Sequence, residues 1–402
     1  MKLDIANAPH RLMFAIGAAN VLLAMAWWAL WLVDVRWQVI GLHQPVVYAG
    51  WLHAIVMQYQ VLAPFMFGFL LTVFPRWMGQ DGLTAWHYVP VGVGLLGGQL
   101  LTLGGTLGPS QLLHLGAIFT LAGWATGLFY LLRWLWRDGG KTPHAVSCAG
   151  AMLLGFLGFL AYAVFLHVGD PRLMVASIKI GTFGLLLPVY FTVSHRMFPF
   201  FASNIAPNYR PWRAMWVLGA FWPLVLLHLG LELGHAIGWL WLADAPLLAL
   251  AGTWLWRNWP RGASHHTHGL LLRVLFYGYA WLPIALALYL VQSMVFALSG
   301  ELVLGRAPAH ALFIGFFGSL LVAMVTRVTQ GHSGRPLEFG RLALFAFVVI
   351  QLVAVTRIVA EIASDHMGWQ AVAALGWLLA FAPWVLRSLN IYLTPRVDGR
   401  PG

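Results

Sequence analysis

Apolar segments of helix length follow one another almost without interruption along this chain. A helix that crosses the hydrocarbon core needs roughly 20 consecutive apolar residues, and these segments meet that length. The first segment is as long as the others and has no clear small-residue cleavage site, so we expect it to remain as a span. The sequence predicts about twelve membrane helices, over residues 11–33, 46–74, 88–107, 110–135, 145–168, 172–200, 213–236, 238–257, 270–298, 309–330, 341–362 and 368–392.

Composition supports this assignment. Hydrophobic residues make up 60% of the chain and charged residues only 9%, which is too apolar for a soluble fold. The polar connections are too short to fold separately, and the apolar runs lack the alternation of barrel strands. We therefore predict an all-α, polytopic bundle that forms one transmembrane domain over residues 1–402.

The placement of basic residues predicts the orientation. The formal net charge is +11, and loops on the cytoplasmic side carry an excess of Lys and Arg. If both termini are cytoplasmic, only three loop residues with a positive charge face outward, namely Arg36, Arg172 and Arg306. No basic patch with interleaved aromatic residues lies outside the spans, so the charge indicates a lipid bilayer and no nucleic-acid partner.

Cysteine usage limits the possible cofactors. Cys148 is the only cysteine, which excludes an intramolecular disulfide, a four-thiolate iron–sulfur cluster and a thiolate zinc site. Any metal must be held by His, Met or carboxylate groups. No P-loop, dinucleotide fingerprint or hydrolase motif occurs, so neither ATP-driven transport nor hydrolysis is indicated.

Histidines are the most informative residues. The chain has 16 of them against 12 carboxylates, and an ionisable group inside a bilayer is costly enough to suggest a function. From different helices, several imidazoles could converge at one depth and hold a haem iron or a copper ion. The alternative for each is a hydrogen bond within the bundle. The histidines of the predicted outer level are His53, His114, His167, His228, His235 and His310.

Two spacings in this set predict shared helix faces. His228, Glu232 and His235 stand at i, i+4 and i+7, so they could present two imidazoles and a carboxylate to a metal or a proton path. A polar helix end that faces outer water is the other interpretation. His53 and Met57 are four residues apart, a pair suited to haem iron or Cu(I), although Met57 also fits ordinary core packing.

A second group of histidines belongs to the cytoplasmic level. His195 ends the sixth span and His332 follows the tenth, so a second cofactor site there is one hypothesis. His265, His266 and His268 lie in a short loop, where we expect a solvated cluster.

Cations also fall within the spans. Lys179 and Arg357 could pair with haem propionates, with a bound anion or, for Arg357, with Glu361. Arg196 and Arg327 could do the same at the inner boundary, or extend their charged ends toward the headgroups.

Four blocks of sequence resemble the NnrS family of bacterial membrane proteins, whose members contain haem and copper. They agree in order and spacing, and the twelve-span layout also matches. The blocks are GFLLTVFPRWMG at 68–79, GTFGLLLPVYFTVSHRMFPFF at 181–201, the weaker GYAWLP at 278–283, and HALFIGFFGSLLVAMVTRVTQGHSGRPL at 310–337.

The resemblance implies a multi-pass protein of the bacterial inner membrane that takes part in the response to nitric oxide and nitrosative stress. The expected cofactors are haem b and copper, with a His-ligated haem near the outer side that binds or converts nitric oxide or a related small molecule. If the protein is an enzyme, it would be a haem-dependent oxidoreductase with a redox partner.

By position, the resemblance implies particular ligands. His53 and Met57 match the first and last residues of a His-Ala-His-Glu-Met stretch of the family. The second His and the Glu of that stretch are here Ile55 and Val56. A family histidine near the GYAWLP block is replaced by Phe276. This member could therefore bind one metal fewer, or use a different ligand such as His114 or His228. The haem-binding candidates are His53, His114, His228, His310, Arg327 and Arg357. The metal candidates are His53, Met57, His228, Glu232, His235, His310, His195 and His332.

Two other functions are weighed against this one. A catalytic subunit like those of haem–copper oxidases and nitric oxide reductases would need histidine pairs that the seventh and tenth spans lack. A transporter or chaperone for haem or a metal would use His and Met as transient ligands, and Pro64, Pro188, Pro223 and Pro283 would suit its movement. Proline is also tolerated in membrane helices for packing reasons.

Overall fold

Twelve long helices form the computed structural model, which describes residues 4–261 and 267–399. Each corresponds to one predicted span, and no strand occurs in the described residues, so the all-α bundle is confirmed. The helices are α1 Pro9–Trp37, α2 Ala49–Met78, α3 Ala85–Leu107, α4 Gln111–Asp138, α5 Pro143–Val168, α6 Pro171–Ser203, α7 Met215–Leu233, α8 Trp241–Asn258, α9 Gly269–Ser299, α10 Ala307–Ser333, α11 Arg341–Val359 and α12 His366–Leu393.

Eleven of these helices, within the described ranges, are long and apolar enough to cross a membrane. The exception is α8, which has 18 residues and carries Asp244 in its first turn and Arg257 in its last. These charged groups lower the mean hydropathy of α8, so this helix is not apolar enough to count as a membrane span, although the sequence predicted one there.

The helix bounds differ from the predicted ones where local chemistry sets them. Pro9 begins α1 two residues early, because proline suits the first helical turn, and Gln38 ends it with a left-handed φ of 52°. α7 ends at Leu233 instead of residue 236, since His235 has a φ of 54° that no helix continues. Apolar runs therefore locate the spans, whereas caps and breakers fix their ends.

The first and last helices pair side by side at both ends. The Arg11 guanidinium donates to the backbone carbonyl of Tyr392 at 2.9 Å and to that of Thr394, so the two ends of the chain lie together on what we call the terminal side. On the opposite side, Arg36 pairs with Asp365 at 2.9 Å. The cytoplasmic location of the terminal side stays a prediction from the basic residues.

Glycines let α3 and α4 approach closely. A Cβ added to Gly94 would lie 2.5 Å from the Cα of Gly123, and one added to Gly98 would lie 2.1 Å from Thr120 Oγ1. Small residues at such contacts allow backbone-to-backbone packing, which drives helix association where lipid removes the usual hydrophobic force.

Three helices contain a π-helical segment among the described residues: Val56–Val61 in α2, Ile180–Leu186 in α6 and Ala311–Gly318 in α10. π segments are rare and occur often at functional sites. The widened turn of α2 is held by a buried polar contact, in which Asn20 Nδ2 donates to the Gln60 carbonyl at 2.8 Å. Residues of all three segments line the cavity described next.

Candidate functional site

A cavity of about 340 Å³ lies in the half of the bundle opposite to the termini. Residues of α1, α2, α6, α9, α10, α11 and α12 line it, with indole and phenyl rings such as Trp31, Trp377, Phe183 and Phe313 on its walls. Its volume and its mostly apolar lining are those of sites that bind small molecules and cofactors.

Two side chains of α2 face this cavity one helical turn apart. His53 and Met57 both line it, as their spacing predicts for a shared face. The Trp28 ring stacks on the His53 imidazole, with 4.2 Å between centroids and 8° between planes. Neither ring nitrogen of His53 has a hydrogen-bond partner within the part of the chain that the structure describes. The imidazole is thus held in place while its nitrogens remain available.

His310 faces the same cavity from α10. Its Nδ1 lies 2.9 Å from the Arg306 carbonyl, which can only accept, so Nδ1 carries the hydrogen and Nε2 keeps its lone pair. Metal-ligating histidines characteristically donate one ring N–H to a carbonyl or carboxylate in this way. The structure therefore brings together two predicted candidates, each with a nitrogen that can coordinate.

Three cations line the cavity, and their carboxylate partners stand behind them. Lys179, Arg306 and Arg357 are lining residues, whereas Glu232 and Glu361 are not. Lys179 pairs with Glu232 at 2.8 Å and Arg357 pairs with Glu361. For Arg306 the contact is made by the main chain, whose N–H donates to Glu361 Oε2 at 3.1 Å. The cavity surface is consequently cationic, which favours a ligand that carries anionic groups.

The residues that replace family histidine and glutamate positions do not face the cavity. Ile55 and Val56 are fully buried in the core and are not among the cavity residues. Phe276 is also buried, and it packs against Phe198 and Trp259.

His228 lies next to the cavity and does not line it. Its Nδ1 is 2.7 Å from Asp244 Oδ1, its Nε2 is 3.7 Å from Glu232 Oε1, and its ring packs on Phe183 at 3.8 Å. Sequence reasoning placed Glu232 beside His228 but missed Asp244, because α8 had no apparent relation to α7. His235 is exposed beyond the end of α7.

His114 is placed away from the cavity as well. Its ring contacts His167 across the interface between α4 and α5, with 4.6 Å between centroids.

On the terminal side the structure forms two more histidine pairs. His195 Nδ1 is 3.0 Å from His144 Nε2, and His195 Nε2 donates to the Ala214 carbonyl at 3.2 Å. The rings of His332 and His10 lie 4.2 Å apart. His10 and His144 were missed, although both follow a proline at the start of a helix. His332 lies at the end of α10, whereas α6 continues beyond His195 to Ser203.

Arg327 is buried on the terminal half of α10, where its guanidinium lies over the Phe201 ring at 3.9 Å. It is not among the cavity residues. The loop histidines His265 and His266, together with the side chain of His268, fall outside the part of the chain that the structure describes.

Across residues 4–261 and 267–399, no group of three or more His, Cys, Asp and Glu side chains is arranged to hold a metal ion. A haem iron makes a smaller demand, because the macrocycle supplies four nitrogens and the protein one or two axial ligands. His53 and His310 are the histidines of this cavity that could supply such ligands.

Nearly the whole chain matches a known protein family. A family described as "NnrS protein" matches residues 4–396. The chain belongs to the NnrS family. No curated protein matches it. In this NnrS member, residues 310–337, the longest of the four blocks, begin at the cavity with His310 and end on the terminal side beyond His332.

Proposed function

We propose that this NnrS-family protein binds haem b in the 340 Å³ cavity and acts in the response to nitric oxide at the bacterial inner membrane. One observation carries the proposal. His53 and His310, from different helices, each present an unpartnered ring nitrogen to one cavity whose surface also carries Lys179, Arg306 and Arg357.

The residues fit a haem in three respects. His53 and His310 would hold the iron. Arg306, Arg357 and Lys179 would pair with the two propionates, as charged ligand groups need inside a membrane protein. The aromatic walls would cover the macrocycle. When bound, haem supplies an iron that can bind nitric oxide and exchange electrons.

The protein itself would orient the two histidines and control which molecules reach the haem. Trp28 fixes the plane of the His53 ring, and the Arg306 carbonyl fixes the tautomer of His310. Apolar walls exclude bulk water, while nitric oxide, a small apolar gas, can enter from the bilayer. The family resemblance is what links the site to nitric oxide and its response.

A copper ion in the same cavity is the second candidate. His53, Met57 and His310 face it together, and imidazole with thioether is a donor set that Cu(I) accepts. A transient site of this kind would suit transport of a metal or of haem.

These proposals are tested on detergent-purified protein. The haem content, by the pyridine-haemochrome method, and the metal content are measured for the parent, His53→Ala and His310→Ala. We expect stoichiometric haem in the parent, a shift of its spectrum on addition of nitric oxide, and loss of haem in both variants. His114→Ala is the control, because His114 lies outside the cavity, and it should keep its haem.

Other outcomes separate the alternatives. If the protein contained copper and no haem, and Met57→Ala lost the copper, the second candidate would be favoured. Haem that is substoichiometric and exchangeable would favour transport. Full haem retention in both His53→Ala and His310→Ala would contradict the proposed ligands.

A further inference from the structure

Four ionisable residues form a continuous chain beside the cavity. Lys179 Nζ is 2.8 Å from Glu232 Oε2, and Glu232 Oε1 is 3.7 Å from His228 Nε2. His228 Nδ1 is 2.7 Å from Asp244 Oδ1. The chain crosses from α6 through α7 to α8, and we call it the Lys179–Asp244 chain.

Burial makes the Asp244 end of this chain unusual. The side chains of His228 and Asp244 have no exposed surface. Asp244 Oδ2 and His228 Nε2 have no hydrogen-bond partner in the described part of the structure. Formal charges balance when His228 carries both ring protons, and removing one proton leaves a buried net negative charge. The chain therefore holds one proton whose position the electrostatics control.

A purely structural role explains this arrangement poorly. Replacing a buried ion pair by apolar groups is often neutral or stabilising, and polar groups at membrane depth usually mark ion or proton pathways. Unmade hydrogen bonds at Asp244 and His228 add further cost.

One end of the chain reaches the cavity and the other approaches the membrane surface. Lys179 lines the cavity. Phe183 and Tyr289, which also line it, enclose the His228 ring at 3.8 and 5.3 Å. Asp244 is in the first turn of α8, close to the exposed loop that contains His235. Tyr289 is the other titratable group that faces His228.

We propose that the Lys179–Asp244 chain is a proton relay from the surface opposite to the termini into the cavity. Lys179 gives a proton from Nζ to an acceptor in the cavity. His228 then passes its Nε2 proton to Glu232 Oε1, directly after a small approach or through one water. The carboxyl group of Glu232 rotates and gives the same proton to Lys179 Nζ, so that Glu232 is ionised again. Asp244 accepts a proton from surface water at Oδ2, and His228, after its ring turns over, takes that proton up on its unprotonated nitrogen, so every group returns to its starting charge. Each cycle moves one proton and no electrons.

The relay rests on the proposed function in one respect, because protons are needed in the cavity only if it holds a redox cofactor. Reduction of a buried centre adds negative charge at low dielectric, and proton uptake compensates it.

The test uses stopped-flow reduction of haem-loaded protein in weak buffer with a pH indicator. We expect Asp244→Asn and Glu232→Gln to slow proton uptake about tenfold or more, with haem content and absorption spectrum unchanged. Glu301→Gln, which alters an exposed carboxylate near the same surface, should behave as the parent does. Equal uptake rates in all four proteins would overturn the relay and leave haem binding intact.

A second measurement does not depend on haem. Infrared difference spectra of the purified protein on acidification should contain a carboxyl band that Asp244→Asn removes and His228→Gln shifts, with Glu301→Gln unchanged. A spectrum in which neither variant alters the carboxyl region would exclude an exchangeable proton in the chain, even if the protein folded normally and contained no haem.

Discussion

The indole of Trp28 lies parallel to the imidazole of His53, with 4.2 Å between ring centroids. Trp28 also stacks on Trp31 one turn later in α1, at 5.2 Å. His53, which makes no hydrogen bond within the described part of the chain, is thus oriented by a column of rings from a neighbouring helix.

Replacing Trp28 by Ala should weaken haem retention without removing it. An aromatic pair contributes about 0.5–1.5 kcal/mol beyond its buried area, so we expect about two- to tenfold faster haem loss to a scavenger apoprotein. Trp28→Phe should recover most of the effect. The control is Trp86→Phe, because Trp86 is 90% exposed. Unchanged haem loss in Trp28→Ala would show that the stack does not orient His53.

Replacing Arg357 by Gln should weaken binding of the anionic groups of the ligand. A hydrogen bond to a charged group contributes about 1.5–3 kcal/mol, which corresponds to about a ten- to hundredfold rise in the haem dissociation constant. Arg341→Gln changes an exposed arginine of the same helix on the terminal side and should have no effect. If the two variants bound haem equally well, Arg357 would have no role in ligand binding.

His144→Ala should lower stability and leave the cavity unaltered. It removes the hydrogen bond to His195 Nδ1 and leaves that buried nitrogen without a partner, at a cost of about 1–3 kcal/mol. A fall in the thermal midpoint, with unchanged haem content, is the expected result. His43→Ala, at an exposed position, should match the parent. Loss of a metal or haem from His144→Ala would instead indicate a second cofactor site on the terminal side.

Gly94→Ala should destabilise the bundle at the α3–α4 contact. The added Cβ would lie 2.5 Å from Gly123 Cα, and forcing helices apart at such a contact costs about 1–3 kcal/mol. Gly150 in α5 is the matched control, since a Cβ there meets nothing within 4 Å. We expect a lower unfolding temperature in detergent for Gly94→Ala alone. Equal midpoints for both variants would mean that α3 and α4 are not so closely packed.

The sequence predicts well what depends on one helix at a time. Apolar length located all twelve helices, and a spacing of four placed His53 and Met57 on one face of α2. The order of the spans also placed His53 and His310 in the same half of the bundle. These inferences need only the rise and the periodicity of a helix.

Contacts between helices could not be predicted in the same way. Asp244 was missed as the partner of His228, because nothing in the sequence fixes how α7 turns toward α8. His114 and His228 have the depth of His53 but face other neighbours. The π segments were missed because a single extra residue hardly changes an almost uniformly apolar pattern.

The three π segments rotate one part of each helix relative to the other part. Each widened turn takes in one additional residue, and one residue of an α-helix corresponds to about 100° of rotation. The portion of α2, α6 or α10 on the cavity side is therefore set at a different angle from the portion on the terminal side. Deleting one residue within Val56–Val61 would restore regular winding and swing His53 away from its present direction, while the rest of α2 kept its packing.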